Sequence, residues 1–260
     1  MYWSPKPIPE EDKVKQLQKQ IGVPYEIACI LIQRGIEDYD TAKSFFRPEL
    51  SDLHDPFLML GMKKAVDRIF QAFDRGEKIM VYGDYDVDGT TAVALVYSFL
   101  KQSDPNCTYY IPDRYEEGYG ISTKGIDQAK TENVSLIIAM DCGIKATDKV
   151  SYANNLGIDF IICDHHLPGE ELPQATAILD PKQAACPYPF KDLCGCGIGF
   201  KLIHALTKER GGGLEEIIPY MDLVAMAIAA DIVPMVGENR LLTHFGLQQI
   251  QENPRLGISF

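Results

Sequence analysis

From residue 78 onward, short apolar runs at 79–82, 108–111, 135–140, 159–163 and 177–179 alternate with segments of helical pattern. Strand-length runs separated by helices are the β-α-β rhythm of a parallel sheet, so an α/β fold is expected. Thr90–Lys101, Ser122–Lys130 and Thr147–Asn155 fit the intervening helices, the last closed by Gly157. Helices then dominate, over Phe200–Lys208 and Leu214–Ala230. Residues 1–55 read as a separate helical unit. Glu10, Glu11 and Asp12 charge a first turn ahead of Lys13–Ile21, and Gly22-Val23-Pro24 breaks that helix. A second helix ends at Arg34-Gly35, and a third starts at Asp40 and stops at Pro48. The stripe Ile27, Ile30, Leu31 is read as core packing. The expected division is 1–55 and 56–260.

Ligands of open parallel sheets bind outside the carboxyl ends of the strands. Polar residues recur there. Asp84, Asp86 and Asp88 follow the first run, Asp141 follows the third, and Asp164, His165 and His166 follow the fourth. Asp231 closes the apolar helix 223–230 and is expected to be buried. A lone strand-end Asp is commonly a cap, and an Asp-His-His triplet alone also fits a solvated loop. Four such positions in one chain are harder to assign to capping. Three converging carboxylates raise one another's pKa unless a cation holds them together. The Asp84-x-Asp86-x-Asp88-Gly89 spacing opens like an EF-hand, but loop position twelve is Leu95 where a bidentate Glu belongs, and the preceding run reads as a strand. Gly195, Gly197 and Gly199 precede a helix, where bare amides can hold a phosphate. A Walker loop is excluded because Lys201 is followed by Leu202, and the dinucleotide-binding spacing fails at Phe200. An ordinary glycine-rich helix entry remains open.

The formal charge of −12 argues against a generic electrostatic grip on nucleic acid, although two bound divalent cations would reverse the sign locally. No apolar run approaches the roughly 20 residues that span a bilayer, and the first residues lack a signal-peptide core, so a cytoplasmic protein with no membrane partner is expected. Seven cysteines at 29, 107, 142, 163, 186, 194 and 196 form no disulfide framework or zinc spacing, and reduced thiols are expected.

Six motifs carry a family resemblance: Gly-Asp-Tyr-Asp-Val-Asp-Gly (83–89), Pro-Asp-Arg-Tyr-Glu-Glu-Gly-Tyr-Gly (112–120), Asp-Cys-Gly (141–143), Asp-His-His (164–166), Gly-Cys-Gly-Ile-Gly-Phe-Lys (195–201) and Ala-Asp-Ile-Val-Pro (230–234). Together with the N-terminal helices they resemble the catalytic core of RecJ-type single-stranded-DNA-specific exonucleases, within the DHH phosphoesterase superfamily. The resemblance implies a Rossmann-like parallel sheet flanked by helices and two Mn2+ or Mg2+ ions. It also implies 5'-to-3' hydrolysis of single-stranded DNA in repair and recombination, with single-strand-binding or helicase proteins as partners. By the same resemblance, Asp86 and Asp88 bind different metals, Asp141 bridges them, His165 and Asp231 complete one site, and Asp84 assists the other. Asp164 would orient a His ring and His166 would meet the substrate. Arg114, Tyr119 and Gly120 would lie beside the scissile nucleotide, with Gly197 and Gly199 near a phosphate. A surface ion pair of Arg114 with Glu116 or Glu117 is the bland alternative. The family continues into a second associated domain and an oligonucleotide-binding fold. This chain stops at Phe260 and is therefore expected to be a truncated core. Two other functions stay open: a DHH-family phosphatase on short oligonucleotides or cyclic dinucleotides, and a non-catalytic Cdc45-like scaffold.

Overall fold

The structure is a computed structural model, and it describes residues 4–103 and 106–259. Met1–Trp3, part of the stretch read for a signal peptide, lie outside the described residues, as do Asp104, Pro105 and Phe260. Two compact units divide between Asp52 and Leu53, slightly ahead of the expected boundary. The physical reason lies in the next two residues. His54 donates its amide to Glu238 Oε1 (3.0 Å) and accepts from Lys201 Nζ (2.8 Å), and Asp55 pairs with Lys208, which ties both into the larger unit.

The smaller unit contains α1 (Glu11–Ile21), α2 (Tyr25–Ile32) and α3 (Tyr39–Phe46). Gly22 ends α1 in the left-handed conformation, and Asp38 and Thr41 form a capping box for α3. Val14, Leu17, Ala28, Leu31, Ile36 and Ala42 form its core. Of the expected apolar stripe only Leu31 is buried. Ile27 and Ile30 are exposed, because the two-turn helix α2 directs Ala28 and Leu31 inward.

The larger unit runs α4 (Met62–Arg75), β1 (Lys78–Gly83), α5 (Val87–Ser103), β2 (Cys107–Tyr110), α6 (Thr123–Thr131), β3 (Val134–Met140), α7 (Thr147–Asn155), β4 (Asp159–Cys163), β5 (Ala177–Leu179), α8 (Gly195–Glu209), α9 (Met221–Asp231) and α10 (Gly237–Glu252). The strands form one parallel sheet in the order β2-β1-β3-β4-β5. Alternate strand residues serve opposite faces. Met80, Tyr82, Ile137, Ala139, Phe160 and Ile162 cluster with Ile126 and Ala129 of α6 and Val150 and Ala153 of α7. Helices α4, α5 and α8 cover the other face, and α9 and α10 pack beyond them. The strand order reverses between β1 and β3, which opens a crevice at their carboxyl ends.

Helix α5 starts at Val87, ahead of the expected Thr90, because Asp86 accepts the Gly89 amide on Oδ1 (2.9 Å) and the Thr90 amide on its carbonyl. The helix expected over 214–230 is broken. Two short 3-10 turns precede α9, with Pro219 unable to donate a backbone bond in the second. Helices α4 and α10 were not anticipated from the sequence. Among the described residues no helix is long and apolar enough to cross a membrane.

A buried ion pair joins distant parts of this unit. Lys201 Nζ lies 2.6 Å from Glu238 Oε1, and Glu238 also accepts from the His54 amide and from the Tyr188 hydroxyl (2.6 Å). Burial pushes the Lys201 ammonium pKa down, so the carboxylate is what keeps it charged. Glu238→Ala leaves that charge uncompensated, and urea unfolding should report a loss of about 3–5 kcal/mol.

Candidate metal centre

Each strand of the crevice ends in a carboxylate placed where the last ladder bond releases the chain. Asp141 follows β3 with φ 58°, a left-handed conformation that a non-glycine residue rarely holds, and its amide still reaches Cys163 O (2.8 Å). Gly195 makes room for it. A Cβ on Gly195 would stand 2.5 Å from Asp141 Cβ and 2.7 Å from Oδ1.

His165 Nε2 is the focus of the cluster. It lies 3.1 Å from Asp141 Oδ1, 3.7 Å from Asp231 Oδ2 and 3.8 Å from Asp88 Oδ2. Two overlapping groups of potential metal-binding atoms result, Asp88-His165-Asp231 and Asp141-His165-His166, each within 4.8 Å. Asp88 is held by the start of α8, where the Gly195 and Cys196 amides donate to its two oxygens at 2.6 and 2.7 Å. Asp231 departs from expectation in being partly exposed, at the last residue of α9 beside Ile232, which also has φ 58°. It stands at the open side of the cluster, where water reaches it.

Asp164 is buried and fully bonded. One oxygen accepts the Ile144 amide (2.9 Å), and the other accepts the His165 and His166 amides and faces His166 Nδ1 at 2.7 Å. Burial alone would raise its pKa, but the bond to His166, the Ile144 amide and the His166 charge hold it below the usual range. The same contact, opposed by burial, pushes His166 up to about 9.

Asp86 and Asp84 lie outside both groups. Asp86 caps α5 with one oxygen, and its charge acts on Asp141. Asp84, expected to assist a metal, spends its oxygens on the Tyr85 amide (2.6 Å) and the Gly120 amide (3.0 Å), and so pins the 113–120 segment to the end of β1. In that segment Arg114 stacks over the Tyr85 ring at 4.5 Å. The alternative of an Arg114 ion pair with Glu116 or Glu117 is not realised. Glu116 pairs with Lys124, and Glu117 is taken up by Tyr110 and Ser122. Tyr119 meets Tyr85 and His166 edge-on, at centroid distances of 5.9 and 6.3 Å. Beside it a cavity of about 500 Å³ is lined by Tyr119, Gly120, Gly143, Lys145, Lys149 and His166.

The phosphate role expected for Gly197 and Gly199 does not fit. The first α8 amides already serve Asp88, the Gly197 amide donates to Cys194 Sγ, and Gly199 is buried in the helix, where a Cβ would stand 2.7 Å from Met140 Cε. These glycines serve close packing. Sequence reasoning also missed Asp180, a buried carboxylate that follows β5. The signal was the one used elsewhere: an Asp directly after a short apolar run.

The residues present fit divalent cations. Asp141 Oδ1 and His165 Nδ1 are buried without a hydrogen-bond partner, and oxygen donors with one imidazole suit Mn2+ or Mg2+. Burial, then the charges of Asp88, Asp86 and Asp164, push Asp141 up to about 10, and burial raises Asp88 and Asp84. The unfolded carboxyl titrates near about 3.9, so between the two values the folded chain binds more protons and the metal-free protein loses stability as pH rises. A cation takes the carboxylate form. Mn2+ binding should therefore release protons around neutral pH, and its thermal stabilisation should grow as pH rises. Calorimetry in buffers of different ionisation enthalpy reads the release, and a buffer-independent heat would contradict it.

Residues 78–228 match the profile described as DHH family, N-terminal domain. The chain is 44% identical over 250 residues to the single-stranded-DNA-specific exonuclease RecJ of Bacillus subtilis (strain 168), covering 96% of this chain and 31% of that protein. It is 39% identical over 201 residues to the enzyme of the same name from Escherichia coli (strain K12), covering 74% of this chain and 35% of that one. The chain thus spans about a third of the length of these relatives. Among solved structures, exonuclease RecJ bound to manganese superposes with a TM-score of 0.72 at 30% identity, covering 81% of this chain and 52% of that one. RecJ in complex with Mn2+ from Thermus thermophilus gives 0.81 at 26% identity, covering 97% and 35%. With the profile matching more than half of its length, the chain belongs to the DHH family.

Proposed function

We propose that this chain is the catalytic core of a metal-dependent exonuclease that hydrolyses single-stranded DNA from its 5' end. The observation that carries the reading is the convergence of Asp88, Asp141 and Asp231 on His165 Nε2, next to a cavity with lysines on its wall. Its relatives' names and the manganese bound by two of its structural neighbours support the same reading.

Asp88, Asp141, His165 and Asp231 would hold one Mn2+ or Mg2+, and Asp86 with Asp141 a second. Such ions polarise a phosphodiester and lower the pKa of attacking water. The protein's own groups do the rest. Asp164 locks the His166 ring through Nδ1 and leaves its other nitrogen for a phosphate or leaving oxygen. Arg114, flattened on Tyr85 and without a carboxylate partner among the described residues, offers its planar donors to a phosphate. Tyr119 offers a ring face at the cavity rim, and Lys145 and Lys149 supply positive charge where the whole-chain acidity would repel a strand. The volume of about 500 Å³ is in the range of small-ligand sites and suits one terminal nucleotide. Division into a helical unit and a phosphoesterase unit, action in repair and recombination, single-strand-binding or helicase partners, and a cytoplasmic setting in keeping with seven free thiols belong to the same proposal.

The test is Mn2+-dependent release of mononucleotides from a 5'-phosphorylated single strand, compared with turnover of dinucleotides. Asp141→Ala should cut hydrolysis by more than about 100-fold, beyond the loss from a removed outer-sphere partner. Its metal-free melting temperature should not fall, because a desolvated carboxyl repelled by its neighbours is removed; wild-type turnover would refute the assignment. Arg114→Ala loses charge-assisted bonds of about 1.5–3 kcal/mol, so KM should rise about 10- to 100-fold at unchanged Mn2+ affinity. Equal losses in both would assign Arg114 to the metal centre instead.

A further inference from the structure

Asp180 follows β5 as Asp164 follows β4. Cys163 is in register with Leu179, and the Asp164 amide donates to Leu179 O (3.0 Å), so Asp180 stands one strand over from Asp164-His165. Its side chain is fully buried. Oδ1 accepts the Lys182 amide (2.7 Å), while Oδ2 has no hydrogen-bond partner. His165 Nδ1 is likewise buried without one, and more than 4.0 Å separates the His165 ring nitrogens from the Asp180 carboxylate oxygens.

The Nε2 atom of His165 faces three carboxylates at 3.1–3.8 Å and can serve a cation only with its lone pair free. The ring proton must then sit on Nδ1, and that N–H needs a buried acceptor. Asp164 cannot provide it, since its oxygens are taken by the Ile144, His165 and His166 amides and the His166 ring. We infer that Asp180 is the positioning residue of His165, its free carboxylate oxygen accepting the Nδ1 proton through one ordered water and turning Nε2 to the centre. Each histidine of the Asp-His-His triplet then has its own carboxylate, Asp164 for His166 and Asp180 for His165. The inference rests on the metal reading proposed above, but its chief readout does not.

The experiment follows the His165 Nδ1 proton by NMR in the metal-free full chain, assigned with His165→Gln, and Mn2+ affinity by calorimetry. Wild type should show a downfield, slowly exchanging Nδ1 proton. Asp180→Ala should lose it and bind Mn2+ about 10- to 100-fold more weakly, as removal of an outer-sphere partner does. Asp180→Asn keeps an acceptor oxygen and should retain most of both. Thermal unfolding separates a turn defect at Lys182 from this effect, because a merely structural role would lower stability without selectively removing the Nδ1 resonance. Asp180→Ala with the resonance and wild-type affinity intact overturns the inference. If the wild type binds no Mn2+, the metal reading falls, and the resonance decides Asp180 by itself: its survival in Asp180→Ala overturns the inference.

Discussion

Three carboxylates held within 4 Å of one imidazole nitrogen repel one another inside the protein, and the surrounding structure is fitted to that repulsion. Asp88 is stabilised by the first amides of α8, whose dipole favours negative charge at that end. Asp164 accepts three amides and a ring nitrogen. Asp141 has no such compensation and is held in a left-handed backbone conformation, so the cost of ionising the cluster is concentrated at one residue. That is the position from which a divalent cation would gain most.

The scaffold holds these groups from several directions. Asp141 and His165 come from the carboxyl ends of β3 and β4, while Asp88 and Asp231 arrive on the start of α5 and the end of α9. Helix α8 joins the two sets: its glycine-rich start lets Asp141 approach and binds Asp88, and farther along it carries Lys201 into the buried pair with Glu238. A volume change at Gly195 would thus be felt at the candidate metal centre, whereas loss of Glu238 would be felt in the stability of the whole unit. Both effects pass through one helix.

The parallel sheet was legible because its central strands β1, β3 and β4 are continuous apolar runs buried on both faces, and such runs stand out from their polar turns. The acidic strand ends were legible for the same reason. Asp180 was passed over although it follows Ala177–Leu179 in the same way, because a single carboxylate beside a proline reads equally as a turn residue. The α8 glycines read equally as a phosphate cradle or an ordinary helix entry, since a helix start offers the same amides to an internal carboxylate as to a bound anion. Ile27 and Ile30 show a parallel ambiguity: in a two-turn helix, apolar spacing does not settle which side turns inward.

Sequence alone determined the fold class, the chemistry of the donors and the end of the sheet at which they gather, because strand periodicity and residue type are local properties. Tertiary structure decided which donors meet. Asp88 finds its amide partners 107 and 108 residues away, Asp84 turns to Gly120 rather than to the cluster, and Asp231 reaches His165 from a helix that no local pattern joins to β4. Hydrogen bonding and desolvation act through space, so the partner of a buried carboxylate depends on the packing of whole elements and is not written in its neighbours along the chain.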